Sequence, residues 1–427
     1  MHRIVVVGGG AGGLELATKL GKTLGRGGIA NVTLVDCNLT HIWKPLLHEV
    51  AAGSLDAATE ELSYVAQAKW NHFDFIYGRM TGLDRQRRAI KLAGWKGTYG
   101  EVDVPPVEVP YDTLVMAVGS VCNDFGTPGV REHCIFLDSR SDAERLRQEM
   151  LERRLAATAH GRSSSLRVAV IGGGATGVEL SAELRDVNRK LVHYQGRHGT
   201  VEDLEVTLIE AGPRLLSALP ERIGLSVENE LRNKLGIRVL TGTTIKRAEA
   251  DGLFDAQGNK IPADMMVWAA GIRAPAFLRE LDGLESNRID QWVVRPTLQT
   301  TRDENIFAFG DCAACPLDDS GAGNVPPRAQ AAHQQADLLA RNLRLRLEGK
   351  PLIAYRYQDH GSLVSLASFN TFGNLLGNRT IEGRAAHFFY ASLYRMHQSA
   401  LYGNWGTLRL MVGSIIARNT RPVLKLH

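Results

Sequence analysis

Two segments of the chain share one order of apolar and small residues. Residues 3–20 and 166–184 each carry a short β-branched apolar run, a cluster of glycines, and then apolar residues at helical spacing. A second apolar run follows each segment and ends in an acid, at Asp36 and at Glu210. The pattern predicts two βαβ units whose glycine clusters lie about 164 residues apart.

The remaining pattern predicts further elements around these units. Apolar runs at 112–120 and 264–275 hold equivalent places after the two units, and a third at 305–313 ends in Gly-Asp. We also predict a linker at 160–167 and a loop insertion at 188–203. A long helix is expected at about 328–348 and a region of strands at 350–382. Two final helices, split near 403–406, are expected from 383 onward.

Composition changes the picture mainly at the end of the chain. The 427 residues exceed one ordinary core and carry a net charge of +4. Residues 383–427 hold six basic residues and no acid, so residues 1–382, with 44 basic and 46 acidic residues, carry −2. A basic, aromatic end indicates an anionic membrane surface and argues against nucleic acid. We expect no signal peptide and no transmembrane helix.

The first glycine cluster predicts a dinucleotide site. Gly8 allows the tight turn, Gly10 lets the backbone approach a pyrophosphate, and Gly13 lets the helix pack on the strand. The phosphates then lie at the positive end of the helix. Asp36 ends the next strand, where it can accept hydrogen bonds from a ribose diol.

The second cluster repeats this logic with Gly172, Gly174 and Gly177. Glu210 ends the following strand, and its charge repels a 2′-phosphate, which favours NADH over NADPH. Arg214 lies nearby and leaves NADPH open as the alternative.

Several motifs resemble the type II NADH:quinone oxidoreductases in their bacterial respiratory form. They include "HIWKPLLHEVAAGSLDAATEEL", "GSVCNDFGTPGV", "GGGATGVELSAEL", "LIEAGPRLLSALPE", "AFGDCA", "PPRAQAAHQQA" and "EGRAAHFFYASLYRMHQ". The resemblance implies the two-dinucleotide flavoprotein architecture. That is an α/β fold of two Rossmann-type dinucleotide-binding domains, here with a C-terminal amphipathic helical membrane-docking region.

The resemblance also implies a division of the chain. We expect an FAD-binding domain in two parts, at 1–140 and 291–375. An NADH-binding domain at 160–290 is expected between them, and a membrane-docking region at 383–427. Non-covalent FAD and NADH are the expected cofactors. Besides Asp36 and Glu210, their expected contacts are Gly8, Gly10, Ala11, Gly12, Gly13, Ala117, Gly119, Gly310, Asp311 and Ala329 for FAD, and Gly172, Gly174, Ala175, Thr176, Gly177 and Gly271 for NADH.

Electron transfer to ubiquinone or menaquinone is the activity that the resemblance implies. Gln330 and Gln334 match the quinone-site motif of the family, and their one-turn spacing lets both amides donate to quinone carbonyls. Glu179 is implied to act beside the nicotinamide or to handle protons; a favourable charge near a helix N-terminus is the simpler alternative. The family often has a lysine near the quinone, for which Arg379 is the nearest basic candidate here.

The tail and the cysteines leave alternatives open. Ala386, Phe389, Leu393, Met396 and Ala400 form one helical stripe that can lie in a membrane interface or pack on a core or a homodimer partner. We expect peripheral attachment to the cytoplasmic face of the inner membrane. The region after the first unit lacks the CxxxxC pair of disulfide reductases. Cys312 and Cys315 are interpreted as small residues beside a flavin strand, and no metal site is expected; a redox or metal pair is the alternative.

Two other functions remain possible at this point. A sulfide:quinone oxidoreductase shares the flavin and the membrane tail, but it needs reactive cysteines and lacks a working NADH unit. A flavoprotein that binds NADH as a sensor is the non-enzymatic alternative. The second glycine unit argues against the first, and the glutamine pair argues against the second.

Overall fold

The computed structural model describes residues 1–97, 102–159, 165–194, 204–318, 323–375 and 379–417. The helices are α1 (Ala11–Leu20), α2 (Leu47–Ala52), α3 (Ala57–Glu60), α4 (Tyr64–Asn71), α5 (Val130–His133), α6 (Arg140–Ala159), α7 (Ala175–Tyr194), α8 (Glu221–Asn233), α9 (Ala329–Leu347) and α10 (Arg384–Ala417).

The strands follow the same chain order. They are β1 (His2–Val7), β2 (Ala30–Asp36), β3 (Thr40–His41), β4 (Leu62–Ser63), β5 (Asp74–Tyr77), β6 (Met80–Asp84), β7 (Ala89–Leu92), β8 (Trp95–Lys96), β9 (Asp103–Val104), β10 (Val107–Pro110), β11 (Thr113–Met116), β12 (Val121–Cys122), β13 (Ile135–Phe136), β14 (Leu166–Ile171), β15 (Leu204–Ile209), β16 (Arg238–Leu240), β17 (Ile245–Glu249), β18 (Gly252–Asp255), β19 (Lys260–Pro262), β20 (Met265–Trp268), β21 (Ile272–Arg273), β22 (Trp292–Val293), β23 (Ile306–Ala308), β24 (Ala313–Ala314), β25 (Gly361–Leu366), β26 (Asn370–Leu375) and β27 (Arg379–Glu382).

Two parallel five-stranded sheets organise the molecule. The first has the order β23-β11-β1-β2-β5 and the second β13-β20-β14-β15-β16. The last four residues of β1 and of β14 are buried, as expected for strands covered on both faces. Strand β23 lies more than 290 residues after β1 in sequence, yet it joins the first sheet through β11. The predicted pair of Rossmann-type units is confirmed.

The parallel arrangement places both glycine clusters at equivalent edges. Strand β1 leads into α1 and strand β14 leads into α7, so each cluster lies at the carboxyl end of a central strand. Ligands of open α/β sheets bind at this edge. Three-stranded antiparallel sheets flank the units, formed by β6, β7 and β10, by β17–β19 and by β25–β27.

The long helix follows its sequence pattern, whereas the predicted loop insertion does not. The helix is found as α9, within a residue of its predicted bounds. The predicted loop insertion at 188–203 is wrong over its first part, because α7 continues to Tyr194. Val187 is buried in the second core and Leu191 packs against it, and this burial extends the helix. Residues 195–203 of the expected insertion, and 160–164 of the expected linker, lie outside the described residues.

The tail contains the predicted break between two helices. Gly403, with φ 71° and ψ 169°, interrupts α10, so the two parts of the tail are joined at a kink. Ala386 is buried, whereas Phe389, Leu393 and Met396 of the predicted stripe are exposed. Most of the stripe therefore faces away from this chain. Within the described part of the chain, every helix is too short or too polar to span a bilayer.

Candidate nucleotide and quinone site

The first glycine loop has the shape that a pyrophosphate requires. Gly8 has φ +101°, and a Cβ there would lie 2.5 Å from the carbonyl oxygen of Ala117. A Cβ on Gly13 would lie 1.8 Å from the carbonyl oxygen of Gly8. At Gly10, by contrast, a Cβ would meet no heavy atom within 4 Å, so the N-terminus of α1 opens onto free space. Ala11 begins that helix, and the pattern fits a dinucleotide phosphate.

Asp36 lies opposite this loop at the end of β2. Its Oδ2 accepts a hydrogen bond of 2.6 Å from the Gly9 amide, and its Oδ1 accepts one of 2.8 Å from the Asn38 amide. The carboxylate is thereby fixed at the sheet edge, beside the loop. This is the placement expected for an acid that accepts from a ribose.

A second group of residues converges on the same edge from later in the chain. Gly310 has φ +69°, and its amide donates to Oε1 of Gln335 over 2.8 Å. Asp311 accepts a 2.7 Å hydrogen bond from the hydroxyl of Ser120, and burial raises the pKa of Asp311. Lys44 donates to the carbonyl of Ser120 over 2.8 Å, and its charge opposes the rise.

The neighbouring backbone leaves room for a ligand. Gly119 has φ +69°, and a Cβ there would meet no heavy atom within 4 Å. Gly12 packs against Phe309 and Ala332, which holds α1 close to the start of α9 at Ala329. The predicted FAD residues therefore lie around one edge, and the open positions at Gly10 and Gly119 fit an extended dinucleotide.

The second glycine loop reproduces the first. Gly172 has φ +115°, and a Cβ on Gly177 would lie 1.9 Å from the carbonyl oxygen of Gly172. Gly174 again faces open space, and Ala175 and Thr176 form the first turn of α7. This loop fits a second dinucleotide at the N-terminus of α7.

Glu210 occupies the place that Asp36 holds in the first unit. Its two carboxylate oxygens accept hydrogen bonds of 2.6 Å from the amides of Gly173 and Gly212. Arg214 does not face a ligand position, because its guanidinium donates to carbonyls of Leu216, Ser217 and Leu219. Glu210 is thus hydrogen-bonded to the glycine loop, whereas the guanidinium of Arg214 is occupied by backbone carbonyls.

Gly271 lies beside this second site. It has φ +61°, and a Cβ there would lie 2.4 Å from the ring of Phe125. The ring of Phe125, which is 65% exposed, therefore covers Gly271 at close range. A larger residue at 271 would displace this aromatic side chain.

Glu179 is buried in α7, where its Oε1 accepts a 3.0 Å hydrogen bond from the Ser365 amide. Burial raises the pKa of Glu179 to about 8, and the nearby charge of Glu49 adds to the rise. The pKa of Glu49 is also raised to about 8, by burial and by the charges of Glu183 and Glu60. Both carboxyls therefore hold protons at neutral pH.

Two residues lie beside Glu179 although no motif or spacing in the sequence predicts it. His48 lies between the two acids, with Nδ1 3.8 Å from Glu179 Oε2 and Nε2 3.9 Å from Glu49 Oε1. Tyr390 on the tail lies near the Glu179 carboxyl, although its buried hydroxyl has no hydrogen-bond partner among the described residues. The "HEV" segment at 48–50 belongs to one of the family motifs, but nothing in its spacing connects it to residue 179.

The glutamine pair makes contacts that the sequence does not suggest. The Gln330 amide donates to Tyr357, to Asp359 and to the carbonyl of Gly361, at 2.9–3.2 Å. Gln334 donates to the carbonyl of Gln358 over 2.7 Å and accepts from the Tyr355 hydroxyl and the Gln358 amide, both at 3.1 Å. Both side chains fasten α9 to the segment 355–361. Their role as quinone donors stays a prediction.

The two cysteines near the first site are removed from solvent. Cys312 and Cys315 are buried free thiols, and burial raises the pKa of each to about 12. They are thus protonated at neutral pH, in keeping with a packing role. Arg379, the basic candidate for the quinone, begins β27, but its side chain lies outside the described residues.

Comparisons with known proteins support the same grouping. The sequence profile of the Pyridine nucleotide-disulphide oxidoreductase family matches residues 2–336. A Type II NADH:quinone oxidoreductase of Haemophilus influenzae is 44% identical over 449 aligned residues, which cover 100% of each chain. A Type II NADH:quinone oxidoreductase of Staphylococcus aureus is 28% identical, covering 90% of this chain and 92% of the other.

A solved structure shares the fold as well. NDH2 from Plasmodium falciparum in complex with NADH superposes with a TM-score of 0.84, covering 99% of this chain and 100% of the other, at 19% identity. At this identity, the likeness shows the arrangement of the sheets and helices.

Proposed function

The chain belongs to the type II NADH:quinone oxidoreductases within the pyridine nucleotide-disulphide oxidoreductase family, and from this membership we propose that it transfers electrons from NADH through FAD to a membrane quinone. The reaction is respiratory and does not pump protons. Ubiquinone or menaquinone is the acceptor, and the enzyme works at the cytoplasmic face of the inner membrane.

One observation carries the proposal. Two glycine loops, each with a central glycine facing open space and an acid at the end of the next strand, lie at the edges of two parallel sheets. Two dinucleotides can therefore bind to one chain, as hydride transfer from NADH to FAD requires. A sulfide:quinone oxidoreductase, which does not use NADH, needs only the flavin loop.

The residues around the first loop fit FAD. When bound, FAD accepts the hydride of NADH and passes two electrons to quinone. Gly8–Gly13 and the N-terminus of α1 would hold the phosphates, Asp36 would accept from the ribose, and Asp311 would contact the ribityl or phosphate region. Gly310 and the start of α9 at Ala329 close the site from the other side.

The second loop orients NADH. The α7 N-terminus holds its phosphates, and Glu210 accepts from the adenosine ribose. Glu179 lies one turn into the same helix, at the inner end of this site. Because Glu179 holds a proton at neutral pH, it can donate a hydrogen bond or release that proton as charge develops nearby.

The tail is proposed to dock on the bilayer that contains the quinone. Its exposed side carries large apolar side chains, which are Phe388, Phe389, Leu393, Met396, Trp405, Leu408, Leu410, Met411, Val412 and Ile416. Apolar surface of this extent needs a cover. The absence of acids from 383 to 427 makes an anionic lipid surface the favoured cover, and a second copy of the chain in a homodimer is the alternative.

Steady-state kinetics test the function. Purified holoenzyme should oxidise NADH rapidly only when a short-chain quinone is present, and sulfide should not replace NADH as donor. Slow NADH oxidation that quinone does not stimulate would support the sensor alternative. Quinone reduction by sulfide would support the sulfide:quinone alternative.

A further inference from the structure

A row of titratable side chains runs inward from the surface where α1 and α9 meet. Asp337, with its side chain 56% exposed, contacts the ammonium of Lys19. Lys19 also contacts one carboxylate oxygen of Glu15, whose side chain is only 4% exposed. The other oxygen of Glu15 contacts Nδ1 of His333. Four side chains are thus joined by direct contacts; the row is most exposed at Asp337, and the side chains of Lys19 and His333 are 28% and 26% exposed.

The row continues under the tail. The ring of His333 lies 5.4 Å from that of His397 on α10, measured between ring centroids. Nε2 of His397 lies 3.0 Å from Nε2 of His41, and both histidines are buried. The carbonyl of Gly9 hydrogen-bonds the His41 imidazole. The inner end of the row therefore touches the loop proposed to bind FAD, and α10 covers it.

The hydrogen bonds indicate how the inner histidines carry their protons. Because Nε2 of His41 faces His397, the nitrogen that donates to Gly9 is Nδ1. In the neutral ring Nε2 of His41 is then an acceptor, and Nε2 of His397 donates to it. Nδ1 of His397 is left as a buried acceptor without a hydrogen-bond partner among the described residues. This nitrogen is the position at which the His397 ring can take up a proton.

The charge states of the buried side chains favour the passage of a proton along the row over its retention there. Burial lowers the pKa of His41 to about 4 and that of His397 to about 2, so both rings are neutral at pH 7. Burial opposes ionisation of Glu15, but the hydrogen bonds and charges of His333 and Lys19 lower its pKa below the usual range. A neutral imidazole accepts a proton on one nitrogen and releases one from the other.

Other groups face the inner end from each neighbouring element. The Tyr64 ring lies 6.5 Å from that of His41, and Trp43 stacks on His397 with ring centroids 6.0 Å apart. On the tail, Tyr394 stacks on Trp43, and its hydroxyl donates to Glu60. Lys22 donates to a tail carbonyl. Beyond the row itself, the charged groups close to these rings include Lys22, Glu60 and Arg395, whose guanidinium carbon lies 5.7 Å from the centroid of the Tyr394 ring.

A metal site is the other function that these residue types suggest. Glu15, His333 and His397 offer ligand atoms within 4.8 Å of one another. The ammonium of Lys19, however, already contacts the only carboxylate of this set. A fixed positive charge at that position opposes a divalent cation, so the arrangement favours proton transfer over metal binding.

We propose that this row of side chains conducts to the quinone the proton that its reduction takes from solution; its members are Asp337, Lys19, Glu15, His333, His397 and His41. The overall reaction is NADH + H⁺ + quinone → NAD⁺ + quinol. NADH supplies two electrons and one hydrogen, and the second hydrogen enters as a proton at Asp337. It leaves the row to form an O–H bond on the reduced quinone, whose predicted binding residues, Gln330 and Gln334, lie beside His333 on α9. The inference rests on the proposed function.

Glu15→Gln tests the row with little change of shape. Reduced holoenzyme is mixed with a short-chain quinone in a stopped-flow instrument. Reoxidation should slow on the order of 10²-fold, the usual contribution of a positioned proton donor. Reduction by NADH should stay within the wild-type range. Glu348→Gln is the matched control, because it removes a carboxylate paired with Lys350 and Arg344 just beyond the far end of α9.

A second measurement does not depend on turnover. The redox-difference infrared spectrum of the wild-type holoenzyme should contain a carboxyl band that Glu15→Gln removes and Glu348→Gln retains. Asp337→Asn, at the exposed entrance, should slow reoxidation less than Glu15→Gln, and imidazole buffer should restore it. Melting curves and flavin content confirm that each variant is folded.

Three outcomes would overturn the relay. Normal reoxidation in a folded Glu15→Gln variant, with an unchanged infrared spectrum, would mean that the ion pair of Glu15 with Lys19 has only a structural role. Stoichiometric Zn²⁺ binding by the wild type that Glu15→Gln abolishes would indicate a metal site. Equal slowing by Glu348→Gln would mean that the effect is not local. If quinone fails to reoxidise the wild type, the proposed function fails before the relay is tested.

Discussion

Nucleotide selectivity offers the most direct test of a single side chain. Glu210→Gln removes the negative charge that lies between the amides of Gly173 and Gly212. One of the two hydrogen bonds is lost as well, because the amide nitrogen that replaces one oxygen faces an N–H group. Arg214 cannot compensate, since it is tied to backbone carbonyls. The change therefore acts on charge at a fixed position.

The expected size follows from Coulomb's law. A carboxylate and a 2′-phosphate about 5 Å apart repel by about 3 kcal/mol per unit charge at an effective dielectric constant of about 20. Every 1.4 kcal/mol corresponds to a factor of about ten, so the wild type should prefer NADH over NADPH on the order of 10²-fold. Glu210→Gln should remove most of this preference.

The measurement is the ratio of kcat/KM for NADH to kcat/KM for NADPH at saturating quinone. The ratio matters more than either value, because the lost hydrogen bond weakens the loop for both donors by about 1–3 kcal/mol. Glu205→Gln, on the same strand and exposed, is the control and should keep the wild-type ratio. A wild type that uses both donors equally, or a Glu210→Gln variant with an unchanged ratio, would refute the reasoning.

Three further predictions concern the acid cluster, the glutamines and the tail. The folded protein holds a proton on Glu179 up to about pH 8, whereas the unfolded chain loses it near pH 4.5, so stability falls as pH rises through this window. Glu179→Gln should thus raise the melting temperature most near pH 8; an equal shift at pH 5 would contradict this. Gln334→Leu should impair quinone reduction, leave reduction of the flavin by NADH near normal and weaken the attachment of 355–361 to α9. Slower flavin reduction with unchanged reoxidation by quinone would contradict this prediction. Met396→Glu should weaken co-sedimentation with anionic vesicles, whereas the exposed Leu225→Glu should not; salt should weaken wild-type binding only in part.

The glycine loops could be predicted from sequence because their information is local. A turn that needs a positive φ, a close helix–strand approach and an acid on the next strand are all encoded within some 40 residues. The same holds for α9, whose helical spacing is continuous. Strand β23 is harder, since its pairing with β11 depends on the closure of nearly 200 residues of intervening chain.

The acid cluster and the histidine row could not be predicted, because their members come from distant elements. His41 and His397 are 356 residues apart in sequence, and Glu179 meets Ser365 across 186 residues. A lone buried histidine or glutamate carries no spacing signal. The prediction of a loop at 188–203 failed for a related reason, since the burial of Val187 and the packing of the partly buried Leu191 against the second core outweigh the polar residues around them.

The tail presents a buried face and an exposed apolar face on opposite sides of one helix. Tyr390 and His397 are seven residues apart, or two turns, so the same inner face reaches Glu179 and His41. Phe388 and Met396 project from the outer face, 71% and 67% exposed. Deleting the tail would therefore remove buried contacts of both clusters together with the surface proposed to dock on the membrane. Single substitutions on the outer face are expected to change the proposed docking and to leave the buried contacts in place. If Met396→Glu lowers activity with a long-chain quinone in vesicles and spares a water-soluble quinone, docking and chemistry are separable; if it lowers both equally, they are coupled through this helix.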